Sequence, residues 1–334
     1  VHRLPSIVQK RKPEMSVSVA RAKGPPRAGG LSSLRRREEL VAYLLISPWI
    51  IGFVSFILGP MITSFGLSFF DTNLFRAEWV GLDNYSRLLE TDSTRSLFWV
   101  SLYNTAYYVF FSIPLTIGVG LGIALLLNQE IHGRSAYRVI YYLPAIIPGI
   151  AASMVWLYLF QPEFGVINWV LSLVGIEGPR WLYDTRTAKL VFVVMSLWGA
   201  GGNMLIFLAG LQGIPTELYE AAKLDGAVAW RLLRHITLPM LSPTLFFVLI
   251  TNIIQSFQTF TNIYVMTDGG GGPANSTMMY VLHLYLVAFR QYRLGYASAL
   301  AWVLFLILLL LTLLIFRSSS LWVYYESEVG GKRT

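Results

Sequence analysis

Six stretches of the chain carry no Asp, Glu, Lys or Arg: residues 40–70, 96–129, 139–162, 190–216, 235–267 and 294–316. A helix needs ~20 predominantly apolar residues to cross the ~30 Å hydrocarbon core of a bilayer, and each stretch is long enough. The expected fold is therefore an all-α membrane protein with six transmembrane helices and both termini on one side. Composition agrees. Charged residues make up 13% and hydrophobic ones 55%, whereas a soluble domain carries about 25% charged residues. Disorder needs low hydrophobicity. With no cysteine in 334 residues, disulfides, thiolate metal sites and cysteine nucleophiles are excluded together. Two further uncharged segments do not read as spans, the first for its length and the second for its few apolar residues. Residues 164–176 suit a short helix at the membrane interface. Residues 269–289 open with GGGGPANST and include His283, and read as an interfacial or re-entrant helix.

Basic residues set the orientation. With the termini inside, eighteen of the 26 Lys and Arg residues fall on that side. The assignment leans on Arg35, Arg36 and Arg37 beside the first span, because without the N-terminal tail the two sides are equal. The net charge of +8 is thus topogenic and calls for no nucleic-acid partner. Residues 1–38 mix Pro, Gly, Ser and basic residues and are expected to be a disordered cytoplasmic arm. They hold no apolar core of a cleavable signal peptide. Residues 39–318 form the six-helix domain, and 319–334 a cytoplasmic tail.

No carboxylate lies within any of the six spans. Proton- and sodium-driven carriers normally bind the coupling ion through intramembrane ionisable groups, so a transporter of this kind takes its energy from outside the bilayer and suits a neutral polar solute. The fifth span is rich in polar side chains. Asn252, Ser256 and Thr259 share one helical strip, and Gln255, Thr259 and Asn262 an adjacent one, with Gln258 nearby. This broad polar face must meet protein, water or a ligand, either as helix–helix hydrogen bonding or as the lining of a solute path. Trp198-Gly-Ala-Gly-Gly-Asn203 in the fourth span allows close helix approach or local unwinding, placing Asn203 near exposed backbone. Gly118, Gly120 and Gly122 read as small-residue helix packing rather than a dinucleotide loop, because no strand precedes them. Pro114, Pro144 and Pro148 are expected kinks.

The segment after the fourth span carries the most specific signal. Pro215 suits a first helical turn, and Glu217 and Glu220 favour the N-terminal half of a helix. Ala221 and Ala222 leave a nearly bare surface, and Asp225-Gly226 is a stop signal. Ala227 to His235 reads as a second short helix, and Pro239 and Pro243 punctuate the start of the next span. Two short helices with a small-residue corner, flanked by Arg231 and Arg234, form a knob able to insert into a groove on another protein.

Glu220-Ala-Ala-x-x-Asp225-Gly226-Ala227, followed by Ile236-x-Leu238-Pro239, resembles the EAA loop of ABC importer permeases. GLDNY (81–85), Asn104-Thr105, RVIYYLPAIIPGIAASMVW (138–156) and FGVIN (164–168) resemble further family segments. MTDGGGGPANST and AFRQYRLGYASAL resemble the carbohydrate-importer subgroup, specifically the first permease of maltose and glycerol-phosphate importers. The resemblance covers roughly residues 40–318. It implies a type I ABC importer permease fold in a bacterial or archaeal cell (inner) membrane. It also implies a second, homologous permease, an ATPase subunit dimer and an extracytoplasmic solute-binding protein that delivers a sugar. The loop at 213–240 would be the coupling helix seated on the ATPase. Glu220 would hold it there, Ala221 and Ala222 would permit close seating, Gly226 would make a corner that only a small residue allows, and Asp225 would cap the second helix. Asn203, Asn252, Gln255, Ser256, Thr259 and Trp198 would line the substrate path.

No catalytic or metal-binding residues are expected. The four histidines are scattered, and no GxxxxGK[ST] phosphate loop is present, so ATP and Mg would be bound by the partner ATPase and no cofactor by this chain. The alternatives are a permease for another solute such as glycerol phosphate, which would favour basic cavity residues, and a stand-alone secondary carrier.

Overall fold

The computed structural model describes residues 29–73, 76–90 and 97–324, without the side chains of residues 29–34. The chain falls into two compact units, residues 1–61 and 62–334. The first holds α1 (Gly29–Phe53) and a π turn (Val54–Leu58), and α2 (Gly59–Leu67) follows across the boundary; Arg35–Leu67 is long and apolar enough to span. Ordered helix therefore reaches ten residues into the segment expected to be disordered, because Leu, Arg and Glu dominate residues 31–39 and all favour helix. The arm expected over residues 1–28 and the tail beyond residue 324 lie outside the described residues.

After the end of α2, the second unit continues with a small antiparallel hairpin that hydropathy alone did not signal. In it β1 (Phe70–Thr72) pairs with β2 (Ala77–Trp79), Phe70 opposite Trp79. Then come α3 (Asp83–Leu89), α4 (Leu97–Leu127), α5 (Arg134–Ile146), α6 (Gly149–Leu159), α7 (Val166–Leu173), α8 (Ala188–Trp198) and α9 (Gly201–Gln212). After these follow α10 (Thr216–Leu224), α11 (Ala229–Leu232), α12 (Leu238–Phe257), α13 (Thr261–Met266), α14 (Tyr280–Tyr285) and α15 (Leu294–Ser319).

Among the described residues four helices are long and apolar enough to cross a membrane without a break. The expected third and fourth spans are each two helices, α5 and α6 bent by 97° and α8 and α9 by 42°. Ile147 is held extended by the following Pro148, which also lacks an N–H to continue the ladder. Gly199 and Ala200 open the second break. Pro114, by contrast, sits inside α4 without ending it.

Three apolar clusters hold the unit together. One joins α6, α8, α13 and α14 through Phe160, Val191, Met195, Ile263 and Leu282. A second joins α4, α14 and α15 through Phe98, Tyr280 and Leu300. A third joins α4, α9 and α12 through Leu127, Met204, Phe207 and Leu241. Of the three glycines in α4 only Gly120 meets a neighbour. A Cβ there would lie 2.9 Å from the Asn203 Cβ, while Gly118 and Gly122 face open space. The segment 269–289, expected as an interfacial or re-entrant helix, is partly packed within the unit. Tyr280, Leu282 and His283 are buried, the Tyr280 hydroxyl donates to the Leu300 carbonyl at 2.9 Å, and Asn104 on α4 donates to the Asn275 and Met278 carbonyls at 2.9 and 3.1 Å. Asn168 on α7 donates to the Pro162 carbonyl and accepts from the Trp181 indole, which pins that short helix to its flanking loop.

Candidate functional site

A cavity of about 500 Å³ opens among α4, α5, α6, α8, α9, α12 and α13, within the usual range for small-molecule sites. Its wall carries no charged side chain. Polar groups come from Tyr108, Ser112 and Thr116 on α4, Ser196 on α8, Asn203 on α9, and Thr251, Asn252, Gln255 and Ser256 on α12, with Thr259 and Asn262 beyond. The structure thus brings together all six residues singled out for a substrate path: Trp198, Asn203, Asn252, Gln255, Ser256 and Thr259. Gln258 is not in the wall and is exposed.

Local backbone explains the geometry. The fifth apolar stretch is not one regular helix. Its ladder ends at Phe257, and the chain turns at Gln258–Phe260 before α13, so Thr259 reaches the cavity from a break and not from a continued helical strip. Asn262 is fixed by Ser153 of α6, whose hydroxyl lies 3.0 Å from its Oδ1. Trp198 faces the cavity and also packs edge-on against Trp156, ring centroids 5.8 Å apart.

Asn203 and Asn252 pair with each other. The Asn203 Nδ2 donates to Asn252 Oδ1 at 3.2 Å, and the Asn252 Nδ2 donates to Asn203 Oδ1 at 3.1 Å and to the Val248 carbonyl at 2.8 Å. Counting capacity, Asn252 has used both donors, Asn203 keeps one, and each amide oxygen keeps a lone pair. The pair therefore clasps α9 to α12 and still offers one donor and two acceptors, a set that matches hydroxyl groups.

The second feature is the elbow between α9 and α12. Pro215 is the N-cap of α10, with Glu217 in the first turn. The helix ends in a paired-carbonyl stop. The Gly226 N–H donates to the Lys223 carbonyl at 3.0 Å and the Ala227 N–H to the Ala222 carbonyl at 2.9 Å, with Gly226 at φ +76°. Within this chain nothing lies within 4 Å of a Cβ built on Gly226, and the corner is held by its left-handed backbone. One expectation changes here. Asp225 does not cap the second helix. It is the C-cap residue of α10, and extended Val228 is the N-cap of α11 with no side-chain cap. Nor is the second short helix separate. α11 runs through a π turn (Leu233–Thr237) into α12, and Pro239 and Pro243 are accommodated in α12.

Glu220, Ala221, Asp225 and Gly226 are exposed, while Ala222, Ala227, Leu238 and Pro239 are half-buried. The Tyr219 and Thr237 hydroxyls lie 3.0 Å apart and tie α10 to the π turn. Sequence reasoning passed over Leu224 at the tip of the elbow. Leu224 is 90% exposed and Trp230 66%. It also missed the α4 wall of the cavity. The signal available was Asn104, Tyr108, Ser112 and Thr116, polar residues spaced by four in an otherwise apolar helix, which places them on one face.

Comparison with known proteins adds the following. A family model described as "binding-protein-dependent transport system inner membrane component" matches residues 92–321. The chain is 43% identical over 296 residues to the probable ABC transporter permease protein YesP of Bacillus subtilis, covering 88% of this chain and 94% of that one. It is 37% identical over 267 residues to the trehalose/maltose transport system permease protein MalF of Thermococcus litoralis, covering 79% and 87%. Among solved structures, it superposes on a chain of a bacterial ABC transporter involved in the import of the acidic polysaccharide alginate. The TM-score is 0.74 at 24% identity, over 87% of this chain and 98% of that chain, which establishes a shared fold.

Proposed function

This chain belongs to the family of binding-protein-dependent transport system inner membrane components, and from that premise we infer that it is one permease subunit of an ATP-driven sugar importer. The observation that carries the reading is the uncharged cavity walled by amides and hydroxyls, in a chain without a phosphate loop. Such a wall exchanges hydrogen bonds with a neutral polyol and holds no group for a coupling ion. Relatives named for trehalose/maltose, lactose and arabinooligosaccharide transport support a mono-, di- or oligosaccharide as the solute.

In this reading the chain crosses the membrane six times, each bent pair serving as one span, with both termini and the elbow in the cytoplasm. A second, homologous permease supplies the other half of the path, and an extracytoplasmic binding protein delivers the sugar. Two ATPase subunits, which hold ATP and Mg, receive the elbow in a surface cleft. Glu220 anchors it there, Ala221 and Ala222 allow close seating, and the stop at Asp225-Gly226-Ala227 sets the angle at which Leu224 and Trp230 are presented. Leu238 and Pro239 open α12, so a push on the elbow passes along one continuous rod to Asn252, Gln255 and Ser256.

Because the chain has no cysteine, a single Glu220→Cys variant gives a direct test. A membrane-impermeant maleimide is expected to label it in inside-out vesicles and not in intact cells. Vesicles carrying the whole importer and binding protein are expected to accumulate sugar only with internal ATP. Labelling from the cell exterior, or accumulation by this subunit alone, would overturn the reading. A glycerol-phosphate permease and a stand-alone carrier are both disfavoured by the same wall, which offers neither a cation nor a carboxylate.

A further inference from the structure

Of the nine residues of α10, only Tyr219 and Ala222 are not exposed. The Tyr219 ring packs against the third apolar cluster, as do Ile236 and Met240. Its hydroxyl lies 3.0 Å from that of Thr237, a residue only 5% exposed. Among the described residues this is the one side-chain hydrogen bond that joins α10 to another element. Its direction follows from capacity. A hydroxyl carries one proton, and Thr237 Oγ1 gives its own to the Leu232 carbonyl at 3.3 Å. Tyr219 is therefore the donor, in a short relay from Tyr219 to Thr237 to Leu232.

Thr237 stands where the chain between elbow and cavity is weakest. After the Gly226 corner come the single helical turn of α11 and then the π turn Leu233–Thr237. There the Leu238 N–H reaches back five residues to the Leu233 carbonyl. The next residue, Pro239, has no N–H to donate and crowds the carbonyl four residues back. π turns and prolines are the places where helices bend, so a load entering by way of the corner would flex this turn before it moved α12. The Tyr219 bond bypasses that stretch. It joins α10 directly to the residue that precedes α12, and the bond to Leu232 closes the π turn. Asn252 in the cavity wall lies fifteen residues further on, roughly 22 Å along the helix.

We propose that Tyr219 is a positioning residue for transport, and that its hydroxyl bond to Thr237 is the strut that turns movement of α10 into movement of α12. The ring, held in the apolar cluster, sets the direction of the strut, and the hydroxyl sets its end point. Without the bond α10 still enters its seat, because the exposed Glu220, Ala221 and Leu224 are untouched, but the π turn takes up the movement. This rests on the reading of the elbow as the part seated on the ATPase, and names what carries its motion inward.

The test uses the permease pair with its ATPase in nanodiscs, the partner subunits made free of cysteine. This chain has none, so nitroxides at Gln258→Cys, exposed at the far end of α12, and at Ser172→Cys, exposed on α7, report the distance between the two helices by double electron–electron resonance. ATP with vanadate is the probe, and is expected to drive the otherwise unaltered complex to a second distance. In Tyr219→Phe the ratio of shifted to unshifted molecules should fall about fivefold, about 1 kcal/mol, while ATP hydrolysis and co-purification of the ATPase are kept. Thr237→Val should give the same fall, and the double variant no more than either alone. Thr237→Ser, which keeps the hydroxyl, should give none. An unchanged ratio in Tyr219→Phe, or an equal fall in Thr237→Ser and Thr237→Val, overturns the proposal. Should Tyr219→Phe not hold its ATPase, Thr237→Val decides alone, because that buried position cannot touch the ATPase. If the unaltered complex shows no second distance, the elbow does not drive α12, and the strut and the reading beneath it both fail. A second distance reached as readily by Tyr219→Phe leaves that reading standing and removes only the strut.

Discussion

The cavity wall and the elbow each place a glycine between helices, and the two glycines answer to different constraints. At Gly201, beside the cavity, a Cβ would overlap the carbonyl oxygen of Tyr141 on α5. At Gly226 there is open space, and the constraint is a backbone at φ +76°. The bundle around the cavity is therefore governed by volume, as close-packed interiors are, while the elbow is governed by dihedral angle. Nothing within this chain explains why Ala221, exposed on α10, should be small. In the proposed assembly that limit is set by the surface the elbow enters.

The largest expected effect tests that last point. Ala221→Glu or Gly226→Glu puts a carboxylate into the seat, and burying it unpaired costs several kcal/mol. ATP-dependent uptake by the whole importer should fall more than about 100-fold, while membrane insertion, read by protease protection, is unchanged. Normal uptake by either variant would break the comparison. Next comes Gly201→Val, in which overpacking against the α5 backbone costs about 1–3 kcal/mol. Here the purified chain itself should melt at lower temperature, unlike Ala221→Glu.

Smaller again is the amide clasp. Asn203→Ala and Asn252→Ala each strand a partner and should cost about 1–2 kcal/mol. In a double-mutant cycle read by melting, the pair should cost less than the sum, since the second change removes a group already orphaned. Additive costs would mean the two amides act independently. The finest distinction lies at the corner. Gly226→Asn, which tolerates the left-handed region, should retain more uptake than Gly226→Ala, with a difference of about 1 kcal/mol or less. Equal uptake would return the corner to a constraint of size.

Much of this was readable from the residues. Charge-free stretches coincide with the four unbroken helices of membrane length and with the two bent pairs among the described residues, because an ionised group is costly near the middle of a bilayer. The elbow was legible because Pro215, Asp225 and Gly226 are local signals that act over one turn. The α4 wall was harder to see. Tyr108, Ser112 and Thr116 carry helical spacing, but only the packing of α4 against α9 tells which face meets the cavity. The sequence offered Lys189 as one basic residue among several, since its contacts with Asn104, Tyr103 and Tyr107 reach more than eighty positions back along the chain.

From the order of its residues alone, the chain was bound to be a helical membrane protein with a corner after the fourth apolar stretch, because hydropathy and turn chemistry operate on neighbours. Folding in three dimensions decided that two of those stretches break, that Tyr280, Leu282 and His283 are buried, and that Asn203 and Asn252 pair. Each of these depends on which distant side chains come within a few ångströms, and no local periodicity encodes that.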